Sequence, residues 1–117
     1  MKIERFEDII SWQKALELTV EIYKIFELSK DFSFKDQMQR ASVSIMNNIA
    51  EGFERKSKKE LIQFLYIAKG SASEVKSMLY LSLELKKINQ EQYNKLMKLT
   101  SDIIKLLSAF IKSISVT

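Results

Sequence analysis

The chain contains no cysteine, no histidine and no proline, and its only glycines are Gly52 and Gly70. Each absence removes a class of chemistry or of structure. Without cysteine there are no disulfides and no thiolate nucleophile. Without histidine as well, imidazole acid–base catalysis and most zinc sites are excluded. Metal or proton-transfer chemistry would have to rest on carboxylates. A sheet protein of this size needs more turn formers than two glycines supply. Arginine is scarce too: Arg5, Arg40 and Arg55 are the only ones among 19 basic residues. Bidentate reading of bases and phosphates leans on arginine, so sequence-specific DNA recognition is disfavoured. Lysine point charges still suit a nucleic-acid backbone. No apolar run approaches the ~18 residues of a membrane span. The start, "MKIERFEDII", is charged where a signal peptide is apolar, so a cytoplasmic protein without membrane association is expected.

What the sequence does have is helical periodicity. Its 117 residues suit one domain, spanning residues 1–117, and 46% hydrophobic content is enough for a core. The first helix is expected from Phe6 or Asp8 to Leu28, with Ile9, Trp12, Leu16, Val20, Tyr23 and Phe26 as its apolar positions. The second runs from about Phe34, with Ser33 as its candidate cap, to Arg55. Its stripe is Phe34, Met38, Ala41, Ile45, Ile49 and Phe53, and Gly52 sits near its end. In "SKKE", Ser57 and Glu60 have capping-box spacing and start a third helix that continues to about Lys86. Asn89 and Gln92 have the same spacing, and a fourth helix follows to about Ser115. Short connections predict an all-α, up-down-up-down antiparallel four-helix bundle. The first, third and fourth helices carry apolar arcs wider than one buried stripe needs. That surplus predicts an oligomer.

Three groups of residues are candidates for function. On the second helix, Arg40, Ser44, Asn47 and Glu51 recur at steps of four, three and four, with Gln37 and Asn48 beside them. They form either a ligand pocket or a hydrogen-bonded seam between helices or subunits. The seam is the simpler reading, because buried polar groups need partners and no second reacting group is evident. Gly70, Ser73 and Ser77 make a small-residue notch that suits close approach of another helix. The third group is basic: Arg55, Lys56, Lys58 and Lys59 around the second turn, and Lys95, Lys98, Lys105 and Lys112 along the fourth helix. These are either a phosphate-contacting surface or a solvated face, and repetition in an oligomer would multiply them. Aromatic residues do not interleave with them, so no stacking platform for single strands is evident. The carboxylates do not cluster in the manner of a two-metal site.

The segments "FEDIISWQKALELTVEIY", "QMQRASVSIMNNIAEGF" and "FLYIAKGSASEV" resemble the bacterial four-helix bundle protein family first noticed in intervening sequences of 23S ribosomal RNA genes. The resemblance extends from Phe6 to about Ser113. It rests on Trp12-Gln13-Lys14-Ala15, Arg40-Ala41, Asn48-Ile49-Ala50-Glu51-Gly52 and Gly70-Ser71 in combination. It implies a ring-like pentamer. Related proteins are the basic, pentameric accessory subunits of diversity-generating retroelements, which associate with a reverse transcriptase and nucleic acid. An older label, ribosomal protein, follows gene location. Where the family often has proline this chain has Met46, so its second helix is expected to be straighter and fully hydrogen bonded there.

The expectation is therefore a non-enzymatic oligomeric scaffold that binds RNA or DNA through Arg55, Lys56, Lys58 and Lys59, with Lys95, Lys98, Lys105 and Lys112 as a second row. No cofactor or metal is implied. Arg40, Ser44, Asn47, Asn48, Glu51 and Gly70 are expected at a structural or subunit seam. The alternative is a protein–protein adaptor with no affinity for nucleic acid.

Overall fold

The computed structural model describes residues 3–115. A short 3-10 turn over Phe6–Asp8 precedes four helices: α1 Ile10–Ile25, α2 Phe32–Phe53, α3 Lys58–Glu84 and α4 Gln90–Ser115. Successive helices pack against each other and α1 closes on α4, while α1 and α3 stand diagonally across the shared core. The result is a square antiparallel bundle with extents of 45 × 21 × 19 Å.

The cap chemistry fixes where three of the helices begin. At α3, Ser57 Oγ accepts from the Glu60 N–H at 3.1 Å and donates to Glu60 Oε2 at 3.1 Å. At α4 the box is reciprocal: Asn89 Oδ1 accepts from the Gln92 N–H at 2.7 Å, and Gln92 Oε1 accepts from the Asn89 N–H at 2.9 Å. The cap of α2 is Asp31 and not Ser33. Its Oδ1 accepts from the Phe34 N–H at 3.2 Å, and its Oδ2 takes the Lys87 ammonium at 2.9 Å. An anion at the positive end of the helix, already paired across the bundle, outcompetes a hydroxyl two residues later. Both interactions hold the Asp31 carboxyl below its ordinary value, the Lys87 hydrogen bond most strongly. Lys86, at φ 57°, carries the chain out of α3 in the left-handed conformation.

The first helix differs most from expectation. Ile9 is extended and separates the 3-10 turn from α1, so one continuous start at Phe6 or Asp8 does not form. The far end is also shorter, and Leu28 is 87% exposed in the loop. The face of α1 toward the core is Ser11, Ala15, Leu18, Thr19 and Ile22, whereas Leu16, Val20 and Tyr23 point outward. The physical reason is size. Ala15 and Thr19 let α1 approach its neighbours, and Thr19 Oγ1 bonds both Ala15 O at 2.7 Å and Ser42 O of α2 at 3.2 Å. Elsewhere the expected stripes are the buried ones: Met38, Ile45 and Ile49 of α2, Leu65, Ala72 and Leu79 of α3, and Leu96, Ile103 and Leu107 of α4. α2 passes unbroken through Met46, which packs half-buried against this core.

Gly52 is helical and buried, and its role is close approach. A Cβ there would lie 2.7 Å from Phe64 Cβ and 3.2 Å from Leu61 Cδ1 of α3. At Gly70 a Cβ would meet nothing within 4 Å in the protomer, so the notch there faces outward. The two glycines therefore respond oppositely to one methyl. Gly52→Ala forces α2 and α3 apart and costs about 1–2 kcal/mol, overpacking outweighing the gain in helix propensity. Within the isolated protomer, where nothing packs on the notch, Gly70→Ala gains up to about 1 kcal/mol. Urea denaturation of both variants, at a dilution where the protein is monomeric, measures the opposite signs.

Candidate nucleic-acid interface

The loop patch is less basic than its sequence suggests. Arg55 is clamped by Glu51 at 2.8 Å and reached by Glu60 at 3.9 Å, and its guanidinium lies 4.7 Å from the centre of the Phe64 ring. Glu54 is adjacent in the chain. Lys56 and Lys59 remain exposed, without an ion pair among the described residues. Lys58 lines an apolar cavity of about 620 Å³ with Ile3, Leu61 and Phe110 at that end of the bundle.

The helix-four row divides in two. Lys95 bonds Glu21 of α1 at 2.9 Å; Lys98 bonds Asp102 at 3.2 Å, and Lys14 of α1 approaches the same carboxylate at 3.9 Å. These two lysines belong to a mixed-charge seam between α1 and α4. Lys105 and Lys112 are exposed and lie about two and about four turns beyond Lys98, on the side of α4 toward α3. Ion pairing is absent from both among the described residues.

The polar face of α2 also divides. Ser44 and Asn48 make a true seam with α3: Ser44 Oγ and Ser71 Oγ are 2.8 Å apart, and Asn48 Nδ2 donates to Ser44 O at 2.8 Å and Ser44 Oγ at 3.0 Å. Gln37 reaches Glu74 of α3 at 3.4 Å. Arg40, Asn47 and Glu51 lie outside this seam. Arg40 is exposed and pairs with Asp36 at 3.3 Å, and Asn47 and Glu51 edge a shallow depression with Phe6 and Glu54. With Gly70 open to the outside, any seam formed by these four residues is with another subunit.

Two exposed apolar stripes complete the surface. Leu16, Val20 and Tyr23 follow one side of α1, bordering an α1–α2 groove of about 670 Å³. Tyr66, Ile67, Tyr80 and Leu81 flank Gly70, Ser73 and Ser77 on the outer side of α3. Because α1 and α3 are diagonal, these stripes occupy opposite corners.

A family model described as 23S rRNA-intervening sequence protein matches residues 7–109. The chain belongs to that family. A crystal structure from Bacteroides thetaiotaomicron, described as a protein with unknown function from the S23 ribosomal protein family, is 33% identical. It matches with a TM-score of 0.83 over 88% of this chain and 99% of its own. No curated protein matches the chain. In this family member, no helix among the described residues is long and apolar enough to cross a membrane.

The α1–α4 seam has a pH signature. The hydrogen bond from Lys95 holds the Glu21 carboxyl below its ordinary value, and the same interaction raises Lys95. A depressed carboxyl stabilises the fold above its unfolded value of 4.5, and the contribution disappears as pH falls through the lowered folded value. Replacing Glu21 by Gln therefore makes the acid-side loss of thermal stability shallower. Circular-dichroism melts from about pH 7 to 3 read this slope.

Proposed function

We propose that the protein is a non-enzymatic, homo-oligomeric helical scaffold that binds the backbone of nucleic acid in the cytoplasm. The observation that carries the reading is the pair of apolar stripes on opposite corners of the bundle. Each gathers large apolar side chains that are 39–56% exposed, surface that an interface would bury. They differ in shape, one a ridge with a groove beside it, the other aromatic shoulders around a small-residue notch. Two unlike patches pair head to tail, which closes into a ring or grows as a filament. A ring of five is the closed form that the family resemblance implies. Closure repeats the +4 surface of each protomer around the assembly. The repeated charge is nearly all lysine, which suits sequence-independent contact with phosphates.

Assembly through these faces has a specific test. Tyr66→Asp with Leu81→Asp damages the α3 face, and Val20→Asp damages the α1 face. Each variant alone is expected to be monomeric by light scattering, with helicity intact. Mixed, they retain one good face of each kind and form a dimer that cannot grow. A dimer in either variant alone would mean that like faces pair, contrary to the proposal.

Nucleic-acid binding is tested by fluorescence anisotropy of labelled duplex DNA and structured RNA across a salt series. The expected outcome is submicromolar affinity at low salt, falling steeply as salt rises, with little sequence preference. The second reading, a protein–protein adaptor, is favoured by the carboxylates that occupy Arg55, Lys95 and Lys98. Absence of binding to both nucleic acids at low salt would select it.

A further inference from the structure

Four of the lysines that form no ion pair among the described residues lie on one side of the bundle, while Lys24, Lys30, Lys35, Lys56, Lys59 and Lys86, equally without one, are scattered elsewhere. The chain has no aspartate or glutamate from Leu61 to Ser73, or from Ile103 to Ser115. The fold lays these two segments side by side. Tyr80 of α3 meets Tyr93 of α4 with ring centres 6.2 Å apart, and at the other end Leu61 shares a cavity with Phe110 and Ile114. This antiparallel register sets Lys69 level with Ile104 and Lys105, Lys76 near Met97, and Lys112 near Leu61. Side-chain direction follows from the pairings already described. Ser71 and Glu74 turn the opposite flank of α3 toward α2, and Lys95 and Asp102 turn the opposite flank of α4 toward α1. Lys69 and Lys76 on α3, and Lys105 and Lys112 on α4, are left on the shared α3–α4 face. None of the four makes an ion pair among the described residues.

We infer that this α3–α4 face, rather than the loop around Arg55, is the phosphate-contacting surface, and that its partner is a nucleic-acid duplex. The inference rests on the nucleic-acid reading and gives it a site. Four lysines distributed over ~22 Å of two straight helices match about six base pairs at 3.4 Å per step. Lys69 and Lys76, like Lys105 and Lys112, are two turns apart, ~10.5 Å, on rigid elements. A fixed straight array suits a stiff double helix. A single strand would need a run of aromatic rings for its bases to stack on, and beside these lysines stands the lone exposed ring of Tyr66, with Tyr80 and Tyr93 at one end against each other. The loop patch, in contrast, sets Glu51, Glu54 and Glu60 among its cations.

The test compares two charge-neutralised variants on labelled duplexes and on a single strand. One carries Lys69→Gln, Lys76→Gln, Lys105→Gln and Lys112→Gln. The other carries Lys56→Gln and Lys59→Gln in the loop. Circular dichroism and mass confirm that both keep the fold and assembly. Should the four-site variant misfold, Lys105→Gln with Lys112→Gln replaces it, since both side chains are exposed. The face variant is expected to bind duplex at least about tenfold more weakly, with a salt slope shallower by about 0.9 for each phosphate it no longer neutralises. The loop variant is expected to stay within about twofold of the wild type. Intact binding by the face variant, with weakened binding by the loop variant, overturns the inference and leaves the nucleic-acid reading standing. Tighter binding of the single strand than of either duplex overturns the choice of partner. A wild-type protein that binds none of the three at low salt overturns the nucleic-acid reading itself, and this site with it.

Discussion

The structure depends on how closely α2 and α3 meet at Gly52. A missing side chain lets the Phe64 Cβ sit where a Cβ would have been. That approach permits a connection of four residues between two long helices. It also brings Phe64 under the Arg55 guanidinium and puts Glu51, Arg55 and Glu60 within reach of one another. Two turns up α2, the same proximity allows the Ser44–Ser71 hydrogen bond, whose length of 2.8 Å would not survive a parting of the helices. The turn that looks most like a binding site in the sequence is thus held by packing, and its arginine is a strut of that packing.

Much of the fold is legible in the sequence because local signals agree with the global arrangement. Ser57/Glu60 and Asn89/Gln92 start helices in the structure as their spacing predicts, since a cap is satisfied within four residues and needs no tertiary help. α4 is legible for a different reason: its apolar and lysine-rich sides are well separated. α1 misleads because it is apolar on two sides, and periodicity alone cannot say which one faces inward. The decision there belongs to Ala15 and Thr19, whose small volume matters only once α2 and α4 are in place. Asp31 does not stand out as a cap along the chain, because part of its advantage comes from Lys87, distant in sequence.

The candidate site is less legible than the fold, and the reason is electrostatic. A cluster of basic letters does not reveal which carboxylates fold onto it. Lys95 looks as free as Lys105 along the chain, yet Glu21 arrives from another helix to meet it. Arg55 looks like the natural phosphate ligand of the loop, yet the preceding turn supplies Glu51. What marks available charge is the absence of acids over a whole neighbourhood. That signal is present in the segments Leu61–Ser73 and Ile103–Ser115, but it acquires meaning only when α3 and α4 are laid against each other. Lys69 and Lys76 form no visible cluster in the sequence, because each stands apart from other basic residues.

The apolar and basic features are coupled by their positions on α3. Tyr66, Gly70, Ser73, Ser77 and Tyr80 run along the outward edge of that helix, and Lys69 and Lys76 follow the adjoining edge toward α4. A neighbour docking on the first edge would border the second without covering it. Docking would then place a lysine row beside every subunit boundary and reduce its exposure to water on one flank. Charge at such a margin acts through a less polar surrounding than charge on an open helix, so each phosphate interaction gains strength while free rotation of the lysine stems is restricted. On this argument a monomeric variant should bind a duplex more weakly than its lysine count alone would require. Part of that weakening would be avidity and part would be the altered surroundings of Lys69 and Lys76. The capped dimer separates the two: it has one complete boundary and little multivalency, so any gain per protomer over the monomer reports the boundary itself.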